Sequence, residues 1–336
     1  MRKILVTGGA GFIGAHTVCE LVNAGYTPVI LDNFSNTDER ILLGLNTILG
    51  FEPILYRMDC TEESSVRKVF ELEKPEAVIH FAAFKAVGES VENPLKYYHN
   101  NIDSLLVLLK LMKEYQVPNL VFSSSCTIYG QPTSLPVTEE SAEQEATSPY
   151  GYTKQVGERI IRDFQKSTPG FRCALLRYFN PIGAHHSGLI GELPYGVPSN
   201  LVPYITQTAA EIRSNLTIYG DDYATPDGTC IRDFIHVTDL ARAHVKSLDW
   251  LMNQETVCEA FNLGQGKGNS VLEVVQAFVR VTGVQLNYEI GPRRNGDVEK
   301  VYADVSKANQ MLDWHTELSL EQALTDAWRW QQNLVL

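Results

Sequence analysis

Tyr150 and Lys154 are the two residues of this chain whose types and spacing have the most direct chemical consequence. They bound the segment Y-G-Y-T-K, and this i, i+4 spacing puts both side chains on one face of a helix. An ammonium group beside a phenol favours the phenolate, which lowers the pKa of tyrosine from its usual value of about 10. The pair therefore predicts that Tyr150 acts as a general base.

A run of three serines ends an apolar segment earlier in the chain, in V-F-S-S-S at residues 121–125. The carboxyl end of a buried parallel strand is where ligands bind in open α/β sheets. We therefore expect Ser125 to hydrogen-bond a substrate hydroxyl and to share its proton with Tyr150. The alternative is a polar strand end that only caps a loop.

A glycine-rich segment near the N-terminus, T-G-G-A-G-F-I-G at residues 7–14, predicts a phosphate-binding turn. Gly9, Gly11 and Gly14 satisfy G-x-G-x-x-G, and Gly8 can replace Gly9 in a wider form of the pattern. Glycines here allow a tight turn and a close approach of the backbone to a pyrophosphate, which the N-terminus of the following helix attracts. The alternative is a glycine turn without a ligand.

Asp32 ends the next predicted strand, at the distance from the glycines where a carboxylate binds the ribose hydroxyls of a dinucleotide. Its negative charge disfavours a 2′-phosphate. The glycine segment and Asp32 together predict NAD as the cofactor, in preference to NADP.

The elements that must position these residues alternate between strands and helices, which predicts an α/β fold with a Rossmann-type doubly wound parallel sheet. The predicted strands are 3–7, 27–31, 53–56, 77–81, 119–123, 173–177, 216–219 and 259–263. The predicted helices are 11–24, 64–70, 95–115, 150–166, 203–212, 237–250, 270–281 and 320–330.

The composition of the chain changes after residue 180, where glycine and proline become frequent and the apolar residues show no clear period. We expect an NAD-binding Rossmann domain at 1–180 with roughly 234–266. A smaller, discontinuous α/β domain at 181–233 with 267–336 would then bind the substrate.

The composition excludes several classes of protein. The chain has 336 residues, a net charge of −12 and a charged fraction of 20%, which argues against disorder and against a broad nucleic-acid surface. Its six cysteines lack metal-ligand or disulfide spacing, so we expect no metal site and a reducing compartment. Neither a signal peptide nor a membrane-spanning stretch is predicted. We therefore expect a cytoplasmic protein.

Longer segments carry a family resemblance along essentially the whole chain. They are D-N-F-S-N (32–36), F-A-A-F-K-A-V-G-E-S (81–90), R-Y-F-N-P-I-G-A-H (177–185), D-G-T-C-I-R-D-F-I-H-V-T-D-L (227–240) and R-R-N-G-D (293–297). With the motifs above, they resemble the extended short-chain dehydrogenase/reductase family. The closest resemblance is to members that interconvert UDP-glucose and UDP-galactose through a transient 4-keto sugar while NAD stays tightly bound.

The resemblance implies a set of roles. Tyr150, Lys154 and Ser125 would be catalytic, and the protein would be a homodimer joined through helices 95–115 and 150–166. The implied cofactor contacts are Gly8, Gly11, Phe12, Ile13, Gly14, Asp32, Asn33, Asn36, Asp59, Cys60, Phe81, Ala82, Ala83, Lys85, Asn100, Ser123, Tyr150, Lys154 and Tyr178. The implied UDP-sugar contacts are Lys85, Ser125, Tyr150, Phe179, Asn180, Asn200, Leu201, Thr217, Tyr219, Arg232, Arg294, Asp297 and Val301.

Three residues decide between readings of this site. In the family, a small residue at the position of Val301 is associated with acceptance of N-acetylated UDP-sugars as well. The alternative is that Val301 is only a core residue of a strand and has no role in specificity. Related dehydratases and decarboxylases place carboxylates where Cys126 and Thr127 stand here, which argues against that activity. Cys126 departs from the small alanine that the family pattern leads us to expect. A non-catalytic nucleotide sensor on the same scaffold is the remaining alternative.

Overall fold

The computed structural model of the chain describes residues 1–194, 196–294 and 297–335. Asn295 and Gly296, which belong to the segment R-R-N-G-D, lie outside the described residues. Across the described ranges, no helix has both the length and the apolar character needed to cross a bilayer.

The strands follow the predicted alternation in the first half of the chain. In chain order they are β1 Lys3–Thr7, β2 Thr27–Asp32, β3 Ile54–Arg57, β4 Ala77–His80, β5 Asn119–Ser125, β6 Arg172–Tyr178, β7 Asn180–Ile182, β8 Leu216–Tyr219, β9 Ile231–His236, β10 Val257–Leu263, β11 Gly268–Ser270, β12 Tyr288–Gly291 and β13 Lys300–Val301.

The α-helices separate and flank these strands. They are α1 Phe12–Asn23, α2 Arg40–Leu49, α3 Glu63–Glu73, α4 Val87–Glu92, α5 Pro94–Tyr98, α6 Ser104–Glu114, α7 Pro149–Ser167, α8 Leu201–Ala209, α9 Val237–Met252, α10 Val271–Thr282, α11 Ser306–Leu312 and α12 Leu320–Val335.

A seven-stranded sheet in the order β10-β6-β5-β4-β1-β2-β3 forms the centre of the molecule. All of its neighbouring strands are parallel, which confirms the predicted Rossmann-type fold. The strand order reverses between β1 and β4. Ligands of open α/β sheets bind in the crevice at such a switch point, outside the carboxyl ends of the strands.

Both faces of this sheet are buried. On β1, Ile4 and Val6 belong to one hydrophobic cluster and Leu5 belongs to another on the opposite face. Alternate residues of a strand point to opposite faces, so an unbroken apolar run is what a strand covered by helices on both sides requires.

The second half of the chain adds smaller sheets and a separate apolar cluster. β11, β9 and β13 form one sheet, in which β7 also pairs with β9, and β12 pairs with β8. A third hydrophobic cluster draws on Ile182, Val202 and Phe278. This cluster lies in the part of the chain that we predicted to bind the substrate, and the division into two domains stays a prediction.

The predicted helix 95–115 is interrupted. A π-helical turn, His99–Asp103, separates α5 from α6. Within it, Asn101 accepts from the N–H of Phe84 at 2.8 Å and donates to the hydroxyl of Thr153 at 3.1 Å. The wide turn thus lets one side chain join α7 to the loop after β4, while the neighbouring Asn100 lines the cleft described below.

Candidate active site

The glycine loop after β1 has a backbone that other residues fit poorly. Gly8 has a φ of +69°, in the left-handed region that favours glycine. A Cβ atom at Gly14 would lie 2.2 Å from the carbonyl oxygen of Gly8. The N-terminus of α1 is therefore held close to β1, with its backbone N–H groups directed to the end of the sheet.

Asp32, at the end of β2, is hydrogen-bonded to this loop. Its carboxylate accepts from the N–H of Ala10 at 3.0 Å and from the N–H of Phe34 at 2.9 Å. Burial raises the pKa of Asp32, and the two backbone hydrogen bonds partly offset that rise. Beside it, the side chain of Asn33 donates to Asp59 at 2.8 Å.

A cleft of about 620 Å³ lies at the carboxyl ends of the central strands and is lined by all of the predicted cofactor contacts. The glycine loop, whose space a Cβ atom would fill, fits the pyrophosphate of NAD, and Asp32 at the end of β2 fits its ribose. The predicted residues that line the cleft are Gly8, Gly11, Phe12, Ile13, Gly14, Asp32, Asn33, Asn36, Asp59, Cys60, Phe81, Ala82, Ala83, Lys85, Asn100, Ser123, Tyr150, Lys154, Tyr178 and Asn200.

Tyr150 and Lys154 lie in the first turns of α7. The helix begins after Ser148, whose hydroxyl accepts from the N–H of Gly151 at 3.1 Å, an N-cap that fixes where the helix starts. Lys154 is buried and donates to the carbonyl oxygen of Ser123 at 2.6 Å. The predicted spacing therefore brings both residues to the end of β5.

The predicted lowering of the pKa of Tyr150 is wrong. Burial raises the pKa of Tyr150 to about 12, and hydrogen bonding with Ser125 offsets only part of the rise. Burial also lowers the pKa of Lys154 to about 8. Loss of water penalises both charged forms, and the ammonium is directed to Ser123 and not to the phenol.

The three serines at the end of β5 have different partners. Ser123 accepts from Lys154, and Ser125 accepts from the N–H of Thr127 at 3.2 Å. Ser124 donates to Glu158 of α7 at 2.5 Å. Glu158 also forms a buried ion pair with Arg177, with nitrogen–oxygen distances of 3.0 and 2.8 Å. This ion pair lies one helical turn beyond Lys154.

Another group of predicted residues lies together in the second half of the chain, outside the lining of the cleft. Arg232 is 3.6 Å from Asp297, and Arg294 is 4.0 Å from it. The Arg294 guanidinium lies over the ring of Tyr219, 4.8 Å from its centre. Two arginines are the donors that a diphosphate prefers. Thr217 lies on β8 with Tyr219 and donates to Glu289 at 3.4 Å.

Other predicted sugar contacts lie between these two groups. Val301 is 6% exposed and packs in one apolar cluster with Phe179 and Cys126. Val301 also faces Arg232 in the register of β13 on β9. The side-chain oxygen of Asn180 is buried without a hydrogen-bond partner in the described parts of the chain. Ser125 and Leu201 likewise lie outside the lining of the cleft.

Glu192 is a cleft residue that our sequence reasoning missed. It lines the cleft, and its carboxylate accepts from Lys85 at 2.9 Å and from Asn200 at 2.6 Å. The residue stands in an aperiodic, glycine- and proline-rich segment. A single glutamate there gives no signal that distinguishes it from a surface residue.

The fold and the cleft define an enzyme of the nucleotide-binding Rossmann type. Residues 4–264 match the NAD dependent epimerase/dehydratase family. The chain belongs to this family, which confirms the resemblance seen in its motifs.

Curated relatives and solved structures are similar over nearly the full length. The chain is 50% identical over 329 residues to the UDP-glucose 4-epimerase of Dictyostelium discoideum, covering 98% of this chain and 95% of the relative. The UDP-glucose 4-epimerase from Bifidobacterium longum, solved with NAD+ and UDP, has a TM-score of 0.96 and 45% identity, covering 99% of this chain and 98% of that one. The UDP-Glc/GlcNAc 4-epimerase from Campylobacter jejuni has a TM-score of 0.85 and 37% identity, covering 99% of this chain and 100% of that one.

Proposed function

We propose that the protein is an NAD-dependent UDP-glucose 4-epimerase that interconverts UDP-glucose and UDP-galactose through a transient 4-keto sugar. The observation that carries the proposal is the placement of Tyr150 and Lys154 in the same cleft as the glycine loop and Asp32. Similarity to named epimerases over almost the whole chain supports the choice of substrate.

NAD, held by the glycine loop and Asp32, would supply the acceptor and donor for the hydride of sugar carbon 4. The chain itself supplies proton transfer and orientation. Tyr150 removes the proton of the 4-hydroxyl and later returns it, acting as general base and then as general acid. Ser125 hydrogen-bonds that hydroxyl and the phenol. Lys154, held at the end of β5 by Ser123, keeps a positive charge beside the phenolate as it forms.

The uridine diphosphate is held by the second half of the chain. Arg232 and Arg294 supply the positive charge that a protein of net charge −12 must concentrate for a diphosphate. Asn180 and Asn200 offer amide groups to the ligand. The other contacts that we propose are Phe179, Leu201, Thr217, Tyr219 and Asp297, and Val301 lies by the sugar.

The sugar pocket accepts N-acetylated UDP-sugars as well. Val301 is small, and a bulky side chain in its place would take the space that a 2-acetamido group needs. The dual specificity named for the Campylobacter jejuni enzyme, which is 37% identical to this chain, supports this range.

The protein is a cytoplasmic homodimer. All six cysteines are free, which suits a reducing compartment. Leu95, Leu106 and Tyr152 are large side chains exposed on α5, α6 and α7, in the two segments through which the resemblance implies the dimer contact. Sedimentation of the protein at a range of concentrations tests this state, and a monomer throughout the range would contradict it.

A product assay tests the activity. The purified protein, with UDP-galactose and without added NAD, should form UDP-glucose through the cofactor that it retains. Formation of a 4-keto-6-deoxy sugar would identify a dehydratase instead. A sensor would bind UDP and leave the sugar unchanged.

A further inference from the structure

Glu192 is a carboxylate in a cleft that the proposed function fills with two anionic ligands. Its side chain is 10% exposed, so its charge is largely withdrawn from water. A negative charge there would repel a diphosphate unless it had a partner. It has two, because the same oxygen, Oε1, accepts from the ammonium of Lys85 and the amide of Asn200.

The backbone of Glu192 is fixed by packing. Its carbonyl oxygen accepts from the indole N–H of Trp330 at 3.0 Å. The preceding Gly191 lies against the same ring, where a Cβ atom would come within 2.4 Å of it. The backbone that carries the carboxylate is thus held by α12, whereas the side chain of Lys85 is 47% exposed and depends on its partner for orientation.

The side chain of Asn200 is directed to Glu192 and not to its own helix. The residue occupies the N-cap of α8, where asparagine ordinarily accepts from a backbone N–H of the first turn. Across the described residues its side chain makes no such capping bond. The amide instead donates to Glu192 at 2.6 Å, into the cleft.

We propose that Glu192 is a positioning residue that holds Lys85 toward the cofactor and Asn200 toward the nucleotide, an inference that rests on the proposed function. Lys85 follows β4 of the central sheet, and Asn200 opens α8 in the second half of the chain. One carboxylate oxygen therefore contacts one residue on the cofactor side of the cleft and one residue on the nucleotide side. Its loss disturbs both sides, whereas loss of either partner disturbs one.

Two binding measurements on the holoenzyme distinguish an effect on the nucleotide side of the cleft from an effect on the cofactor side. Calorimetric titration with UDP, which has no sugar, reports on Asn200. The rate of NAD loss after dilution, followed by cofactor absorbance after gel filtration, reports on Lys85. Glu192→Ala should raise the Kd for UDP and speed NAD loss, each about tenfold, the size expected for one hydrogen bond to a charged group. Asn200→Ala should affect UDP alone and Lys85→Met should affect NAD alone.

Two further variants make the test selective. Glu192→Gln keeps an acceptor for Asn200, so its Kd for UDP should stay within about threefold of wild type. Glu259→Gln removes a carboxylate that pairs with Lys307 away from the cleft, and it should change neither measurement. Equal melting temperatures exclude a general loss of structure as the cause.

The outcomes distinguish this inference from the proposed function. If Glu192→Ala changes only one measurement or neither, or tightens UDP binding, Glu192 does not position both partners. If Glu192→Gln weakens UDP binding as much as Glu192→Ala, the contact to Asn200 is not what matters. Active wild-type enzyme with either result overturns the inference alone, whereas wild-type protein that binds neither UDP nor NAD overturns the proposed function.

Discussion

The Nζ atom of Lys154 lies 5.9 Å from the centre of the Tyr150 ring and donates to the carbonyl oxygen of Ser123 at 2.6 Å. The ammonium is thus fixed to the end of a strand, at a distance from the phenol that gives attraction without a direct hydrogen bond. Burial keeps the phenol neutral by raising its pKa, and the fixed ammonium stabilises the phenolate when it forms.

Removal of the hydroxyl of Tyr150 should slow the reaction strongly and leave UDP binding intact. Tyr150→Phe is expected to lower kcat by roughly 10²–10⁴-fold, the usual effect of losing a general base, while UDP still binds. Epimerisation of UDP-galactose and calorimetric titration with UDP measure the two effects. Tyr152→Phe, which removes an exposed phenol two residues along the same helix, is the control. A kcat for Tyr150→Phe within about threefold of wild type would exclude Tyr150 as the base.

The hydroxyl of Ser125 should set the pH dependence of the reaction. Hydrogen bonding with Ser125 lowers the pKa of Tyr150, which burial otherwise raises to about 12. In Ser125→Ala the pKa of Tyr150 is therefore higher, and the rise of kcat with pH should move to higher pH. Tyrosinate absorbance as a function of pH, with Tyr150→Phe as the blank, gives the pKa directly. Ser125→Thr keeps a hydroxyl and should retain the wild-type profile; an unshifted profile for Ser125→Ala would contradict the assignment.

Asp32 should determine both the affinity for the cofactor and the choice of cofactor. Its carboxylate binds the glycine loop through Ala10, and a ribose would take its remaining acceptor capacity. Asp32→Ala should therefore weaken NAD binding. It should also reduce the preference for NAD over NADP, because the charge that repels a 2′-phosphate is lost. Fluorescence titrations with both cofactors measure the ratio. Asp163→Asn, on the surface of α7, is the control, and an unchanged ratio in Asp32→Ala would mean that Asp32 does not face the ribose.

The ion pair between Glu158 and Arg177 should dominate the stability of this region. Both side chains are buried, and the guanidinium forms two bonds to the carboxylate. Removal of one partner leaves the other buried charge with only a longer contact, from Arg162 to Glu158 at 3.4 Å or from Glu143 to Arg177 at 3.7 Å. Glu158→Gln and Arg177→Met should therefore each lower the free energy of unfolding by up to about 3–5 kcal/mol. Denaturant unfolding measures this. Arg159→Met, which breaks an exposed pair on the same helix, should cost no more than about 1 kcal/mol, and equal effects of buried and exposed pairs would contradict the argument.

The sequence predicted the central sheet well because its signals are local. Strands buried on both faces are short apolar runs between glycine, proline or polar residues, and the predicted strand 3–7 coincides with β1. Helix α2, Arg40–Leu49, escaped prediction although its C-cap is a glycine in the left-handed conformation, because its leucine-rich run lacks a clear start signal. The short strands β11 and β13 were missed because pairing with β9, distant in the chain, defines them.

Some features of the site can likewise be predicted from local sequence, whereas others depend on the tertiary structure. The glycine loop and the Tyr150–Lys154 pair depend on spacing within one segment, and the structure places them in one cleft. The pKa of Tyr150 was predicted in the wrong direction because burial is a tertiary property that a sequence motif does not carry. Glu192 was missed for a similar reason, since its partners Lys85 and Asn200 reach it only in the folded chain.

Val301 should determine whether N-acetylated sugars are accepted. It is buried beside Phe179 and Cys126 and lies opposite Arg232 on β9, so a larger side chain there must take space from the cluster or from the sugar. We expect wild type to epimerise UDP-N-acetylglucosamine as well as UDP-glucose. Val301→Tyr should depress the acetylated reaction selectively, because a phenol ring fills the volume that a 2-acetamido group needs, and such exclusion can exceed the ~1–3 kcal/mol of a missing methylene.

The control for this substitution must separate space in the pocket from strain in the cluster. Overpacking of a buried position costs about 1–3 kcal/mol of stability, which would slow both substrates if the site were distorted. Val301→Ile adds bulk without a ring, and it should keep the wild-type ratio of the two reactions. The measurement is kcat/KM for UDP-glucose and for UDP-N-acetylglucosamine in all three proteins, with melting temperatures alongside. If Val301→Tyr slows both substrates equally, or if wild type has no activity on the acetylated sugar, Val301 is a core residue of β13 and the 4-epimerase proposal stands without it.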